Sequence, residues 1–410
     1  MNVLDLFAGA GGLSEGFRQE GYNVVAHVEM DSNAALTLKT REAYYYLKSQ
    51  NQISIYEEYL LKKITREELY SHIPVGILDK VINDEISDDS IENIFNTIDE
   101  LLDKEKVDMV IGGPPCQAYS VAGRSRDPLR MENDPRNYLY KQYIKFLDRY
   151  KPKYFVFENV MGILSAKGGE ILEDIQNEMT KAGYEMDYQV LNSKDFGVLQ
   201  SRKRVIIIGW KTNITFEYPQ FTQDITIETI KNLFSDLPAI KAGEKKEPGY
   251  FYKTRRIIDH YLVKSNIRSK EWRILSQHEA RPHRETDLEI YRYCVETWNN
   301  EGRKVKYDEL PNRLQTHKNT NTFLDRFNIV NNNGISHTIV AHISKDGHYY
   351  IHPDIDQNRS ITVREAARIQ SFPDDYFFES SRTAAFKQIG NAVPPLMARK
   401  IAMKFKSTDT

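Results

Sequence analysis

The feature that most constrains this chain is an alternation, sustained from residue 3 to residue 209, of short β-branched or apolar runs with longer amphipathic stretches. Such an alternation is typical of βαβ units that build a parallel sheet. We predict strands at residues 3–7, 23–28, 80–82, 107–111, 153–157, 188–191 and 204–209, with helices between them. The chain is therefore expected to be an α/β protein that binds ligands at the carboxyl edge of its sheet.

The alternation fades after Gly209, which marks a change of organisation. Residues 211–360 read as polar loops, short strands and a charged helix near residues 287–298. A helix returns after Thr362, and a last helix follows a pair of prolines. A length of 410 residues suggests two domains or one domain with an insertion. We expect one domain at residues 1–209 plus 376–410 and a smaller inserted domain at residues 210–375.

A Tyr-rich amphipathic stretch at residues 41–78 is longer than a βαβ unit needs. We interpret it as a helical pair packed on the edge of the sheet.

The composition narrows the range of possible functions. No stretch approaches the roughly 20 apolar residues that cross a bilayer, so we expect a soluble intracellular protein without a membrane partner. Two cysteines are too few for a disulfide framework or a structural zinc site, and no metal is expected. The formal net charge is -2, but residues 241–318 carry 18 Lys and Arg against 12 Asp and Glu. A basic insert on an acidic body could face nucleic-acid phosphates or could be an ordinary solvated face.

A glycine-rich turn, in the segment DLFAGAGGLSEGF, follows the first predicted strand. Gly9, Gly11 and Gly12 let the backbone approach a ligand at the sheet edge, where the next helix begins. The dinucleotide fingerprint requires a third glycine where Ser14 stands, so nicotinamide binding is disfavoured. Glu29 ends the second strand, 20 positions after Gly9, where a carboxylate can bind both hydroxyls of a ribose. A cofactor with a nucleoside fits this pattern, and a purely structural turn is the alternative.

The segment IGGPPCQAYS follows the fourth strand and presents Cys116 on a loop stiffened by two prolines. A thiol at that edge can act as a nucleophile, although most cysteines are small buried apolar residues. Cys294 lies in a helical context and is interpreted as a packing residue.

Two further segments place polar groups at strand ends, FENV at the same edge and QSRKR at the entry of another strand. FENV places Glu158 after the fifth strand, and QSRKR places Gln200, Arg202 and Arg204 at the start of the last one. The arginines could bind carboxylates or phosphates, or form structural ion pairs. A thiolate can add to C6 of a pyrimidine and make C5 nucleophilic, provided that a carboxyl group and a guanidinium relieve charge at N3 and O2. Methylation of cytosine at carbon is consistent with these residues.

Together, DLFAGxGG, PCQ, ENV, QxRxR and a C-terminal GNxVPP resemble the DNA (cytosine-5)-methyltransferase family over residues 1–209 and 359–405. The resemblance implies a Rossmann-like S-adenosylmethionine-dependent methyltransferase sheet with an inserted target-recognition domain. It also implies methylation of a flipped-out cytosine in duplex DNA through a covalent adduct with Cys116. A chain of this bacterial or phage type is expected to be a monomer in the bacterial cytoplasm, serving a restriction-modification system beside a separate cognate endonuclease.

The resemblance also assigns residues. Phe7 would stack on adenine, Glu29 would bind the ribose, and the acid of NDEI, Asp84 or Glu85, would reach the adenine amino group. The remaining cofactor residues would be Gly9, Gly11, Gly12, Met30, Pro115 and Asn391. The catalytic residues would be Cys116, Glu158, Arg202 and Arg204. The DNA-binding residues would be Gln117, Ser120, Arg124, Arg126, Arg130 and Gln200. The segment REAARIQSFPDD would support the recognition domain.

Three other functions compete with this interpretation. A tRNA cytosine-5 methyltransferase could use the same scaffold, although the basic recognition segment favours DNA. A non-catalytic DNA-binding module is disfavoured because every catalytic motif is intact. A nicotinamide dehydrogenase is disfavoured by Ser14.

Overall fold

The computed structural model describes residues 1–115, 139–224, 226–250, 260–315 and 324–406. These residues form a seven-stranded sheet in the order β3-β2-β1-β4-β5-β7-β6. The strands are β1 Asn2–Leu6, β2 Asn23–Val28, β3 Val81–Ile82, β4 Met109–Gly112, β5 Tyr154–Asn159, β6 Tyr184–Asn192 and β7 Lys203–Lys211. Each predicted strand is present, so the α/β expectation is confirmed.

Helices pack against the sheet and recur, between loops, in the rest of the described chain. Within the first half they are α1 Gly12–Gln19, α2 Ser32–Ser49, α3 Ile53–Leu60, α4 Arg66–Ser71, α5 Val75–Leu78, α6 Ile91–Leu102, α7 Leu139–Tyr150 and α8 Glu170–Lys181. Within the second half they are α9 Ile230–Leu233, α10 His260–Lys264, α11 Glu285–Glu301, α12 Val363–Ile369, α13 Arg382–Asn391 and α14 Pro395–Lys406. None of the helices in the described ranges has the length and apolar character needed to span a membrane.

The strand directions correct one expectation. The first five strands pair in parallel, but β7 runs antiparallel to both β5 and β6. The reason is the length of the connection between β6 and β7. A parallel crossover needs about a dozen residues or more, usually with a helix. Residues 193–202 are fewer and contain only a short 3₁₀ turn, Ser193–Phe196, so the chain must turn back.

The Tyr-rich stretch also differs from the predicted helical pair. Its first part continues α2, and three separate helices follow, α3, α4 and α5. The Tyr44 and Tyr56 rings pack against Trp272, and the Tyr59 ring packs against Phe377. This stretch therefore contacts later parts of the chain rather than only the sheet edge.

Beyond β7 the described residues contribute no strand to the sheet and form only isolated β-bridges. The charged helix is present as α11, and α12 begins at a capping box between Thr362 and Glu365. Helix α13 was not predicted. One apolar core combines Ala10 and Leu199 with side chains from residues 230–392, so this region packs directly on the sheet region.

The last helix, α14, packs against α1. A Cβ at Gly16 would lie 2.4 Å from the Arg399 backbone nitrogen, so no side chain fits there. The close approach returns the C-terminal segment to the glycine-rich turn, as expected.

Candidate active site

A cavity of about 670 Å³ opens at the carboxyl ends of the parallel strands. Its walls come from the glycine-rich turn, the ends of β2, β4 and β5, the start of β7, and α13. Eleven of the residues singled out from the sequence line it, namely Phe7, Gly9, Gly12, Glu29, Met30, Asp84, Glu85, Pro115, Glu158, Arg204 and Asn391.

The turn after β1 is shaped by Phe7, which has a φ of 53°. A bulky residue in the left-handed region is strained, and such strain is concentrated at functional sites. The backbone N–H of Ala8 donates to the Val28 carbonyl, which ties the turn to the end of β2. A Cβ at Gly12 would lie 2.2 Å from the Val393 carbonyl oxygen, so the C-terminal segment closes on the turn.

Glu29 is fixed by the backbone on both sides. Its Oε2 accepts from the Gly9 N–H and its Oε1 from the Asp31 N–H, each at 2.7 Å. Burial raises the pKa of this carboxyl group, while the two backbone hydrogen bonds oppose the shift. The result is a rigid acceptor that lines the cavity, with lone pairs left for hydroxyl groups.

Asp84 and Glu85, the two acidic residues of the segment NDEI, both line the cavity. They therefore remain equal candidates for the contact with the adenine amino group. The Asn83 side chain donates to the carbonyls of Glu29 and Met30, at 2.8 and 3.2 Å. Sequence reasoning missed this positioning role of Asn83.

Glu158 and Arg204 meet at one wall of the cavity. Glu158 Oε1 lies 2.6 Å from Arg204 Nε, and both side chains are nearly buried. The contact lacks hydrogen-bond geometry, and neither of these two atoms has a hydrogen-bond partner among the described residues. A Cβ at Gly113 would lie 2.8 Å from Glu158 Oε2, so a glycine makes room for the carboxylate. An acid and a guanidinium held together in this way can relieve charge on a polar ring.

Arg202 and Gln200 do not line this cavity, contrary to expectation. Both are fully buried. Arg202 donates to the carbonyls of Ile339, Gly390 and Asn391, and Gln200 bonds the Gln370 side chain and the Ile339 N–H. They therefore hold the C-terminal motif and residue 339 against the sheet, which is a positioning role. Packing placed these groups inside because the start of β7 is covered by later parts of the chain.

Gly11 is another residue whose expected role differs. It does not line the cavity but precedes α1 with a φ of 71°. A Cβ there would lie 2.7 Å from Leu38 Cδ2 and 3.0 Å from Tyr376 Oη. Gly11 therefore allows α2 and residue 376 to approach the turn.

Comparison with known proteins identifies this arrangement. The sequence model of the family of C-5 cytosine-specific DNA methylases matches residues 1–67 and 76–407. The chain belongs to that family. The expected family, its cytosine-5 methyltransferase activity and the methyltransferase fold are thereby confirmed.

Similar proteins agree with this assignment. The methylase is 43% identical to the Type II methyltransferase M.Bpa9945I of Bacillus paralicheniformis, over 99% of this chain and 98% of that protein. It is 31% identical to the Type II methyltransferase M.DdeI of Desulfomicrobium norvegicum, over 98% and 88% of the two chains. A prophage-encoded protein from E. coli has the same fold, with a TM-score of 0.65, 22% identity and coverage of 100% and 99%.

Several residues predicted for the methylase site lie outside the described residues. They are Cys116, Gln117, Ser120, Arg124, Arg126 and Arg130. The described chain leads up to them at Pro115, which lines the cavity. The Asn159 side chain donates to the Pro114 carbonyl at 3.1 Å, so the ENV motif also holds the segment before Cys116. Cys294 is buried in an apolar cluster, and burial raises the pKa of its thiol to about 12, which agrees with a packing role.

Beneath the cavity lies a buried charged group that sequence reasoning missed. His27 Nδ1 lies 3.0 Å from Asp5 Oδ2, and His27 Nε2 lies 3.2 Å from Glu42 Oε1. Burial alone would lower the pKa of His27, but the hydrogen bonds and charges of the two carboxylates raise it.

Two other cavity residues, Asp31 and Lys387, were also missed, because 356 positions separate them.

Proposed function

We propose that this methylase transfers a methyl group from S-adenosylmethionine to C5 of a cytosine flipped out of a specific site in duplex DNA. One observation carries the proposal: the residues suited to a nucleoside cofactor and the Glu158–Arg204 pair line the same cavity. Since its relatives bear the name Type II methyltransferase, we assign it to a restriction-modification system. It would act as a monomer in the bacterial cytoplasm, with a cognate endonuclease acting separately.

The cavity residues fit S-adenosylmethionine. A volume of about 670 Å³ suits a ligand of this size, since small-molecule sites span about 300–1,000 Å³. Glu29 offers a rigid carboxylate to the ribose hydroxyls, Phe7 offers an aromatic ring to the adenine, and Asn391 faces them from α13. When bound, the cofactor supplies an electrophilic methyl group on a sulfonium.

The catalytic steps follow from the residues around the target ring. The Cys116 thiolate adds to C6, and its electron pair passes through the ring to make C5 nucleophilic. Glu158 would share a proton with N3 and Arg204 would donate to O2, which stabilises the charge that the addition creates. C5 would take the methyl group as its bond to sulfur breaks, which leaves the electron pair on the thioether S-adenosylhomocysteine, and would then lose its proton to water. The electrons of that C–H bond restore the double bond and expel the thiolate.

The DNA would lie where the recognition segment presents positive charge. The cytosine must leave the duplex to reach Cys116, at a cost of about a few kcal/mol for unstacking. Arg281 Nη1 and Arg382 Nε are buried, and no hydrogen-bond partner for either lies in the part of the chain that the structure describes. Burial and the neighbouring His348, Arg281 and Arg382 lower the pKa of His283 to about 4. An excess of positive charge in this part of the chain favours a polyanionic substrate.

The loop after Cys116 would contribute the remaining DNA contacts. Its proposed members are Gln117, Ser120, Arg124 and Arg126.

The decisive experiment uses 5-fluorocytosine. Bisulfite sequencing of DNA from cells that express the protein first identifies the methylated site. A duplex with 5-fluorocytosine at that position is then incubated with the enzyme and S-adenosylmethionine. After methyl transfer C5 carries fluorine in place of the proton that must leave, so the enzyme should stay bonded to the DNA on a denaturing gel. Cys116→Ser should form no adduct, because a hydroxyl is a far weaker nucleophile at neutral pH.

Two controls complete the experiment. Cys294→Ser should form the adduct normally, and Glu158→Gln should bind DNA but react slowly. An adduct with Cys116→Ser would contradict the assignment of the nucleophile. Methyl transfer to tRNA but not to DNA would contradict the proposed substrate.

A further inference from the structure

An ion pair links two walls of the cofactor cavity. Lys387 Nζ lies 2.7 Å from Asp31 Oδ2, and both residues line the cavity. Asp31 directly precedes α2, two positions after Glu29, and Lys387 lies one turn before Asn391 on α13. The pair therefore joins the wall that carries the ribose-binding carboxylate to the wall that carries the C-terminal asparagine.

The two partners differ in rigidity. Asp31 Oδ1 accepts from the backbone N–H and the side chain of Asn33, at 3.0 and 3.1 Å, so the carboxylate is fixed as the cap of α2. Burial alone would raise the pKa of Asp31, but the hydrogen bonds from Lys387 and Asn33 hold it below its usual value. Lys387 is 56% exposed on a long flexible side chain, so it is the partner that can move away.

We propose that the Asp31–Lys387 pair is a strap across the cofactor cavity that opens to admit the cofactor and, once closed, slows its release. This inference rests on the proposed use of S-adenosylmethionine. A half-exposed ion pair is weak and is screened by salt, so the strap retards dissociation modestly and never blocks exchange. Its closure also holds α13, and with it Asn391, against the cofactor. Asp31 and Lys387 are thus positioning residues rather than catalytic ones.

The test is a double-mutant cycle on the rate of cofactor dissociation. Tritiated S-adenosylmethionine is bound to the full-length protein and displaced by an excess of the unlabelled compound. Asp31→Asn keeps the helix cap but removes the charge, and Lys387→Gln removes the other partner. Each variant should release the cofactor about two to five times faster than the parent, the range expected for a half-exposed pair. The double variant should be no faster than either single one, since both changes open the same strap.

Salt and a matched control sharpen the test. Raising the salt concentration should speed release from the parent towards the rate of the variants and leave the variants nearly unchanged. Lys181→Gln breaks an exposed pair with Glu178 on α8, outside the cavity lining, and should release the cofactor at the parental rate. Melting temperatures check that all variants are folded.

The outcomes separate the strap from the proposed function. If Lys387→Gln speeds release but Asp31→Asn does not, Lys387 binds the cofactor directly and the strap is wrong. An unchanged rate of cofactor release in both single variants would also overturn the proposed strap. Failure of the parent to bind S-adenosylmethionine would instead overturn the proposed function.

Discussion

The sheet region and the region between residues 230 and 379 differ in how their segments are joined. In the first, parallel strands end at one edge, and backbone geometry places the cavity residues. In the second, the described residues add no strand to the sheet, and buried arginines join distant segments. Arg368 pairs with both Asp236 and Asp374, while Arg359 pairs with Glu365. The chemistry therefore depends on the backbone of one region, and the integrity of the other depends on buried charge.

The largest expected effect breaks the buried charges. Arg368→Met leaves Asp236 and Asp374 without this fully buried partner, which should cost about 3–5 kcal/mol of unfolding free energy. Denaturant titration measures the loss. Arg303→Met removes exposed pairs with Glu301 and Glu309, which solvent screens, and should leave stability nearly unchanged. Equal losses of unfolding free energy in the two variants would show that buried and exposed ion pairs contribute equally to stability.

A second prediction tests the backbone of the sheet region. In Gly113→Ala the new Cβ would lie 2.8 Å from Glu158 Oε2 and would push the carboxylate from its place beside Arg204. Turnover should fall by about 100-fold, as expected for a misplacement near 1 Å. Gly76→Ala, where no atom of the described residues lies within 4 Å of the new Cβ, is the matched control. Steady-state kinetics of methyl transfer measure the turnover of both variants. Turnover at the parental rate in Gly113→Ala would show that Glu158 is not confined by this glycine.

The third prediction concerns the pH dependence of cofactor binding. Glu29 must be ionised to accept from both ribose hydroxyls, and burial raises its pKa. The affinity should therefore reach its full value well above that pKa and fall about tenfold per pH unit below it. The fall should begin at a higher pH than it would for an ordinary glutamate. Calorimetry between pH 4 and 7 measures the profile. Glu29→Gln should bind more weakly at neutral pH and lose this dependence, and an unaltered profile in the variant would remove Glu29 from the cofactor site.

The smallest effect concerns the join between the two regions. The Tyr56 hydroxyl donates to the Asp375 carbonyl at 2.8 Å, which ties α3 to the segment after α12. Tyr56→Phe should cost about 1 kcal/mol of unfolding free energy. Tyr46, whose hydroxyl makes no hydrogen bond within the described residues, provides the control Tyr46→Phe, with a change below about 0.5 kcal/mol. Thermal melts of the pair show whether the Tyr-rich helices stabilise the join.

Much of the cavity could be predicted from the sequence. Phe7 and Glu29 directly follow strands and Glu158 lies at the carboxyl end of β5. The carboxyl ends of neighbouring parallel strands share one edge, so local pattern was enough to bring these residues together. The C-terminal Asn391 was placed there only through the resemblance to a family.

What the sequence determined by itself was the order of strands along the chain and the side chains at their ends, because both depend on short-range hydrophobic pattern. The tertiary structure alone decided the direction of β7, the burial of Gln200 and Arg202, and the pairing of Asp31 with Lys387. Each of these depends on which distant segments pack together. Nothing in the local sequence encodes that proximity, since burial and charge pairing arise only once the chain has closed on itself.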